Sequence, residues 1–184
     1  NPLGAFRAED LLLIINDDGT LKTTNPEPST QFKGMPIVIE RWIKVKPITL
    51  IYYDENKKEY FIKRFLIENQ NKELHYLKED VKFVFITTEW RPVISIYFKK
   101  NKGEELNQEK MINVEEFIDI KGFKASGNRL LTEKKYFKRK INKISLIESL
   151  PYEDSTENSE VSELEVNEPE EVSKSDKIQT KLKF

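Results

Sequence analysis

Three stretches of the chain repeat one hydrophobic plan. Leu11–Thr24, LLLIINDDGTLKTT, runs five apolar residues into Asp17-Asp18-Gly19 and continues with a second extended arm. Asp-Gly between two β-prone runs is among the strongest short hairpin signals, because the turn needs the positive φ that glycine adopts freely. Ile48–Ile67 repeats the plan around a polar turn at Asp54–Lys58, and the stretch opening at Val93 repeats it around Lys99–Gly103. A hairpin recurring at a loose period of about 40 residues predicts propeller-like blades. The arms point the same way. Leu11–Ile15, Tyr60–Ile62 and Phe65–Ile67 are continuous apolar runs rather than in/out alternations, so both strand faces are expected to be covered. Periodicity alone leaves a propeller-like stack and an irregular β-sandwich both open.

Further strands are expected at Ile37–Ile43, Lys82–Thr87 and Glu116–Ile120, with Pro26, Pro28, Pro36, Pro47 and Pro92 breaking the chain before or between them. Met111, Val114 and Phe117 have helical spacing, so a short helix over Asn107–Phe117 competes with a strand entering Phe117–Ile120. Lys134–Leu150 reads either as a basic helix or as a last strand at Ile144–Ile147. The expected fold is all-β, and its body, 1–150, has room for about three or four hairpin-built blades, in a closed or an open arrangement.

Charge divides the chain. Residues 151–184 hold ten acids and four bases, and 1–150 hold 27 bases and 22 acids, so a −6 tail follows a +5 body inside a total of −1. The tail has few aromatics and dense acids and is expected to be disordered. A basic body favours a polyanionic partner, and the acidic tail reads either as a competitor of that partner for the basic edge or as a passive solubilising extension. The absence of cysteine excludes a disulfide scaffold, zinc–thiolate sites and cysteine nucleophiles. The longest apolar run has five residues, far from the ~20 that a membrane helix needs. No signal peptide shows, and without a starting Met the chain reads as a piece of something longer; the lack of cysteine fits a reducing cytoplasm without requiring it.

Chemistry-bearing residues are sparse. His75 is the only histidine, which leaves a metal site or a histidine-based nucleophile without support. Asp17-Asp18 and Glu115-Glu116 are adjacent pairs, which on a strand point to opposite faces. Trp42 and Trp90 read as core anchors rather than base-stacking platforms. Gly122 and Gly127 are expected to serve a turn through positive φ or close packing, since no phosphate-loop context surrounds them. A free-standing enzyme is therefore disfavoured.

Several strings resemble one family. Asn1–Gly4 with Asp10–Thr24, Tyr60–Phe65 (YFIKRF) and Lys121–Leu130 (KGFKASGNRL) look like blade openings, a hairpin-ending strand with a basic pair, and the Gly-rich turn of the C-terminal domain of the A subunit of bacterial topoisomerase IV or DNA gyrase, in its Bacteroidetes form. That resemblance implies a β-pinwheel whose basic edge binds and bends double-stranded DNA. It implies no catalytic residue in this fragment. ATP and Mg would be bound elsewhere in the parent type II topoisomerase, a heterotetramer with an ATPase B subunit, cytoplasmic and associated with the nucleoid. The chain lacks the Gln-Arg-Arg-Gly-Gly-Lys-Gly-type box of gyrases, which favours topoisomerase IV. Candidate DNA-binding residues are Lys57, Lys58, Lys63, Arg64, Lys99, Lys100, Lys102, Lys121, Lys124 and Arg129, set at hairpin turns and the Gly-rich loop. The run from Lys134 to Lys143 either grips phosphates or is a solvated connector. A propeller-like protein scaffold without DNA binding is the alternative.

Overall fold

A computed structural model describes residues 7, 9–27, 34–68, 72–100 and 108–152, all within a first compact unit that spans Asn1–Tyr152. These residues build three antiparallel sheets with almost no helix. The strands are β1 (Leu12–Asn16), β2 (Thr20–Thr24), β3 (Pro36–Arg41), β4 (Ile48–Asp54), β5 (Glu59–Phe65), β6 (Leu74–His75), β7 (Val81–Thr87), β8 (Arg91–Phe98), β9 (Glu109–Asn113), β10 (Asn128–Arg129) and β11 (Ile141–Leu150). Among the described residues the one α-helical turn is α1 (Val114–Phe117).

The three expected hairpins are β1–β2, β4–β5 and β8–β9. Gly19 closes the first with φ +90°, and Asp18 fixes the turn by accepting hydrogen bonds from the Thr20 N–H (2.9 Å) and hydroxyl (2.6 Å). Each hairpin gains a further strand on its first arm: β3 on β1, β7 on β4 and β11 on β8. Two short strands then cross between sheets. The chain leaves the second hairpin and lays β6 against β2 of the first sheet. It leaves the third hairpin and lays β10 against β5 of the second. Sheet orders are therefore β3-β1-β2-β6, β10-β5-β4-β7 and β11-β8-β9. Among the described residues, nothing pairs with the outer side of β9.

The middle sheet explains the continuous apolar runs. Ile48, Leu50 and Phe65 face Leu13, Ile15 and Leu21 of the first sheet, while Ile51 and Ile62 face Ile94, Ile96 and Phe98 of the third. Both faces of β4 and β5 are covered, so neither strand alternates. Fully burying one such aliphatic side chain is worth about 1.5–3 kcal/mol, and each cluster contains several.

Some expectations fail locally. Glu116–Ile120 is not a strand: the Asn113 side chain accepts from the Glu115 N–H, Val114 is fully buried, and the Ile118 N–H donates to the Val114 carbonyl, which together close α1. Lys134–Leu150 resolves into a 3-10 turn at Lys134–Tyr136 followed by the long strand β11. Trp42 packs against the first core cluster, but Trp90 is only half-buried and sits 4.3 Å from the Tyr152 ring. A Cβ on Gly122 would meet open space, whereas one on Gly127 would lie 2.6 Å from the Ile62 carbonyl oxygen. Gly127 is thus required for the chain to cross tightly over β5 into β10.

Candidate nucleic-acid interface

The turn between β4 and β5 carries Lys57 and Lys58. Asp54 anchors it, accepting from the Lys57 N–H at 2.8 Å and lying 3.5 Å from the Lys57 ammonium. The hydrogen bond from that backbone N–H is the main cause that holds the Asp54 carboxyl below its ordinary pKa. The return strand β7 begins beside this turn and adds Lys82, which pairs with Glu55. Lys57, Lys58 and Lys82 stand on one wall of a cleft between the second and third sheets.

Segment 137–140, just before β11, forms the other wall. Its backbone is firmly tied. Lys99 N–H donates to the Lys140 carbonyl (2.9 Å), Arg139 N–H to the Tyr136 carbonyl (3.1 Å), and the Ile141 N–H to the Tyr60 hydroxyl (3.1 Å). Arg139 itself is buried: its guanidinium donates to the Lys99 carbonyl and lies 5.8 Å from the Phe98 ring. Its neighbours Phe137, Lys138 and Lys140 are exposed.

Together Lys57, Lys58, Lys82, Lys99, Lys138, Arg139 and Lys140 line the cleft, and Glu59 is its one acid. Glu59 is occupied by Arg129 at 2.8 Å. Lys58, Lys99 and Lys140 have no ion pair among the described residues. Lys58 and Lys138 hold left-handed backbone, φ 57° and 59°. That conformation costs a non-glycine residue about 1–2 kcal/mol, and strain of this kind collects where geometry serves a ligand. Exposed ammonium groups gathered on one surface, with Phe137 also lining it, suit a polyanion with regularly spaced charges.

The ten expected residues separate. Lys57, Lys58 and Lys99 converge in this cleft; Lys100 is exposed just after β8, and Lys102 lies outside the described residues. Lys121 and Lys124 are exposed on the loop before β10, where the Lys121 ammonium donates to the Asn128 side-chain oxygen (3.1 Å). Lys63 and Arg64 are not on an edge: they are 7% and 4% exposed. The cause is the double covering of β5. Lys63 turns toward the first sheet and donates to the Phe123 carbonyl. Arg64 turns toward the third, donating to the Trp90 carbonyl at 2.8 Å with Glu115 at 4.0 Å. Burial pushes the Arg64 guanidinium down from its ordinary pKa.

The described residues thus form an all-β domain of three strand-exchanging sheets with lysines gathered in one inter-sheet cleft; among them no group of acidic, histidine or cysteine side chains could hold a metal ion. Residues 1–147 match the family model described as the topoisomerase C-terminal domain of Bacteroidota, and the chain belongs to that family. Comparisons with curated proteins and with solved structures gave no match.

Proposed function

We propose that the three sheets are blades of a β-pinwheel and that the cleft between the second and third seats the sugar–phosphate backbone of duplex DNA. The supporting observation is convergence: lysines from the β4–β5 turn, β7, the end of β8 and segment 137–140 meet on one surface, although up to 83 residues separate them in the chain. Phosphate contacts of this kind position a duplex without reading its sequence. Spread along a curved edge, they hold it bent. In this reading the domain serves the A subunit of a heterotetrameric, ATP-driven type II topoisomerase in the cytoplasm, near the nucleoid. The missing gyrase-type box favours topoisomerase IV, with relaxation and decatenation as the activities of the whole enzyme. No helix among the described residues is long and apolar enough to cross a membrane.

Fluorescence anisotropy of a labelled duplex, titrated with the chain across salt, tests the reading. Binding that weakens linearly in log–log coordinates supports it. The absence of binding at low salt, with an intact fold, would replace it by the protein-scaffold reading.

A further inference from the structure

Lys63 lies in an unusual setting. Its side chain is almost wholly enclosed, and no carboxylate lies within ion-pair distance among the described residues. Its ammonium has three N–H donors. One is used on the Phe123 carbonyl, and the rings of Phe65 and Phe123 sit at 4.7 and 4.8 Å. The other two have no partner among the described residues. A buried cation left uncompensated is costly, and ring faces offset only part of that cost.

The residue opens onto a cavity of about 110 Å³ at the seam of the first and second sheets. Lys78 also lines it, is exposed, and carries no ion pair. Ser126, exposed, adds a hydroxyl to the lining. The one carboxylate present, Asp54, is taken up by Lys57 and by the turn's own backbone. The walls Tyr52 and Phe61 are stacked, 5.6 Å apart, and Gly127 cannot bear a side chain without striking β5. The cavity thus has fixed walls, an excess of positive charge and spare donors.

We infer that this cavity is a binding site for a small oxyanion of the phosphate class, held by Lys63 from below and by Lys78 and Ser126 at the rim. The space admits a few water-sized groups, which suits one tetrahedral anion. Burial, with the charge of Lys78 added, pushes the Lys63 ammonium down to about 8; a bound anion would reverse that direction. The phosphate can be a free ion or a phosphate of a nucleic-acid backbone. This site adjoins the cleft between the second and third sheets, since Lys57 lines both, but Lys63, Lys78 and Ser126 belong to it alone, and the inference does not depend on what that cleft binds.

The test is thermal unfolding of the full chain in rising inorganic phosphate, with sulfate and chloride at matched ionic strength. Ligand binding to the native state raises stability as the logarithm of free ligand above Kd, whereas general salting-out acts on every variant alike. The expected result is a phosphate-dependent rise in Tm that is lost in Lys63→Met. In Lys78→Gln, an exposed change that leaves the core intact, the apparent phosphate Kd weakens at least tenfold, or about 1.4 kcal/mol. Equal rises in the wild-type chain and both variants would overturn the inference. If Lys63→Met does not fold, Lys78→Gln and Ser126→Ala decide it alone. Adding duplex DNA separates the sources: a backbone phosphate in the site makes the duplex displace phosphate and makes Lys78→Gln weaken duplex binding. A free ion leaves duplex affinity unchanged in Lys78→Gln.

Discussion

Replacing Lys58 and Lys140 together by glutamine isolates the electrostatics of the cleft. Both are exposed, both line it, and neither has an ion pair to lose within the protein, so the double variant keeps its fold. Each phosphate neutralised on B-DNA contributes about −0.9 to the slope of log K against log salt. Four lysines free to engage phosphates, Lys58, Lys99, Lys138 and Lys140, predict a slope of about −3.6 for the wild-type chain. Removing two should reduce it to about −1.8, and at about 0.1 M salt should weaken duplex binding about sixtyfold, or about 2.4 kcal/mol. Lys44→Gln, an exposed lysine in the turn before β4 that has no part in the cleft, should change the affinity far less. Anisotropy titrations of one duplex at four or more salt concentrations give both numbers. An unchanged slope in the double variant, or an equal change in Lys44→Gln, would refute the assignment of phosphate contacts to this cleft.

Three other substitutions test the frame around it. Gly127→Ala forces a Cβ to within 2.6 Å of the Ile62 carbonyl; chemical denaturation should show a loss of about 2–3 kcal/mol, in the range of core overpacking. Lys58→Gly and Lys138→Gly relieve left-handed backbone; each should raise stability by about 0.5–1 kcal/mol net of glycine's entropy while weakening duplex binding, and Lys58→Ala should weaken binding without that gain. The folded-state pKa of Lys63 lies below its ordinary 10.5, at about 8, so between these values the unfolded chain binds the proton that the native one has released. Stability of the wild-type chain, measured in phosphate-free buffer, should therefore rise relative to Lys63→Met from about pH 8 to 10.5 and run parallel to it below pH 8.

How much of this was legible in the sequence depends on the range of the signal. The hairpins were legible because Asp17-Asp18-Gly19 and the β-prone arms act locally. The continuous runs on β1 and β5 correctly implied covered faces, since a strand with one wet face would have shown alternation. Lys63 and Arg64 were misplaced for the same reason: on a strand covered on both sides even adjacent basic residues go inward, and their carbonyl partners at Phe123 and Trp90 are 60 and 26 residues away. Local pattern carries no trace of such partners. The cleft shows the same limit. Lys57, Lys58 and Lys99 were marked by their turns, and the run containing Lys138, Arg139 and Lys140 by its density. Lys82 gave no signal, because its position follows from β7 pairing with β4. The one-turn helix α1 beat the expected strand through the Asn113 cap and the burial of Val114, a contest that spacing alone left open.

The central claim, that this domain binds and bends duplex DNA, is tested most directly by a doubly labelled duplex of about 30 base pairs, a length over which a bend has a measurable elastic cost. Its end-to-end distance is read by energy transfer while the chain is added at low and at high salt. A DNA-bending domain gives saturable binding, a shortened end-to-end distance at low salt, and loss of both signals as salt rises. Binding without shortening would contradict the bending claim, and an intact chain that binds no duplex at low salt would contradict the DNA assignment itself.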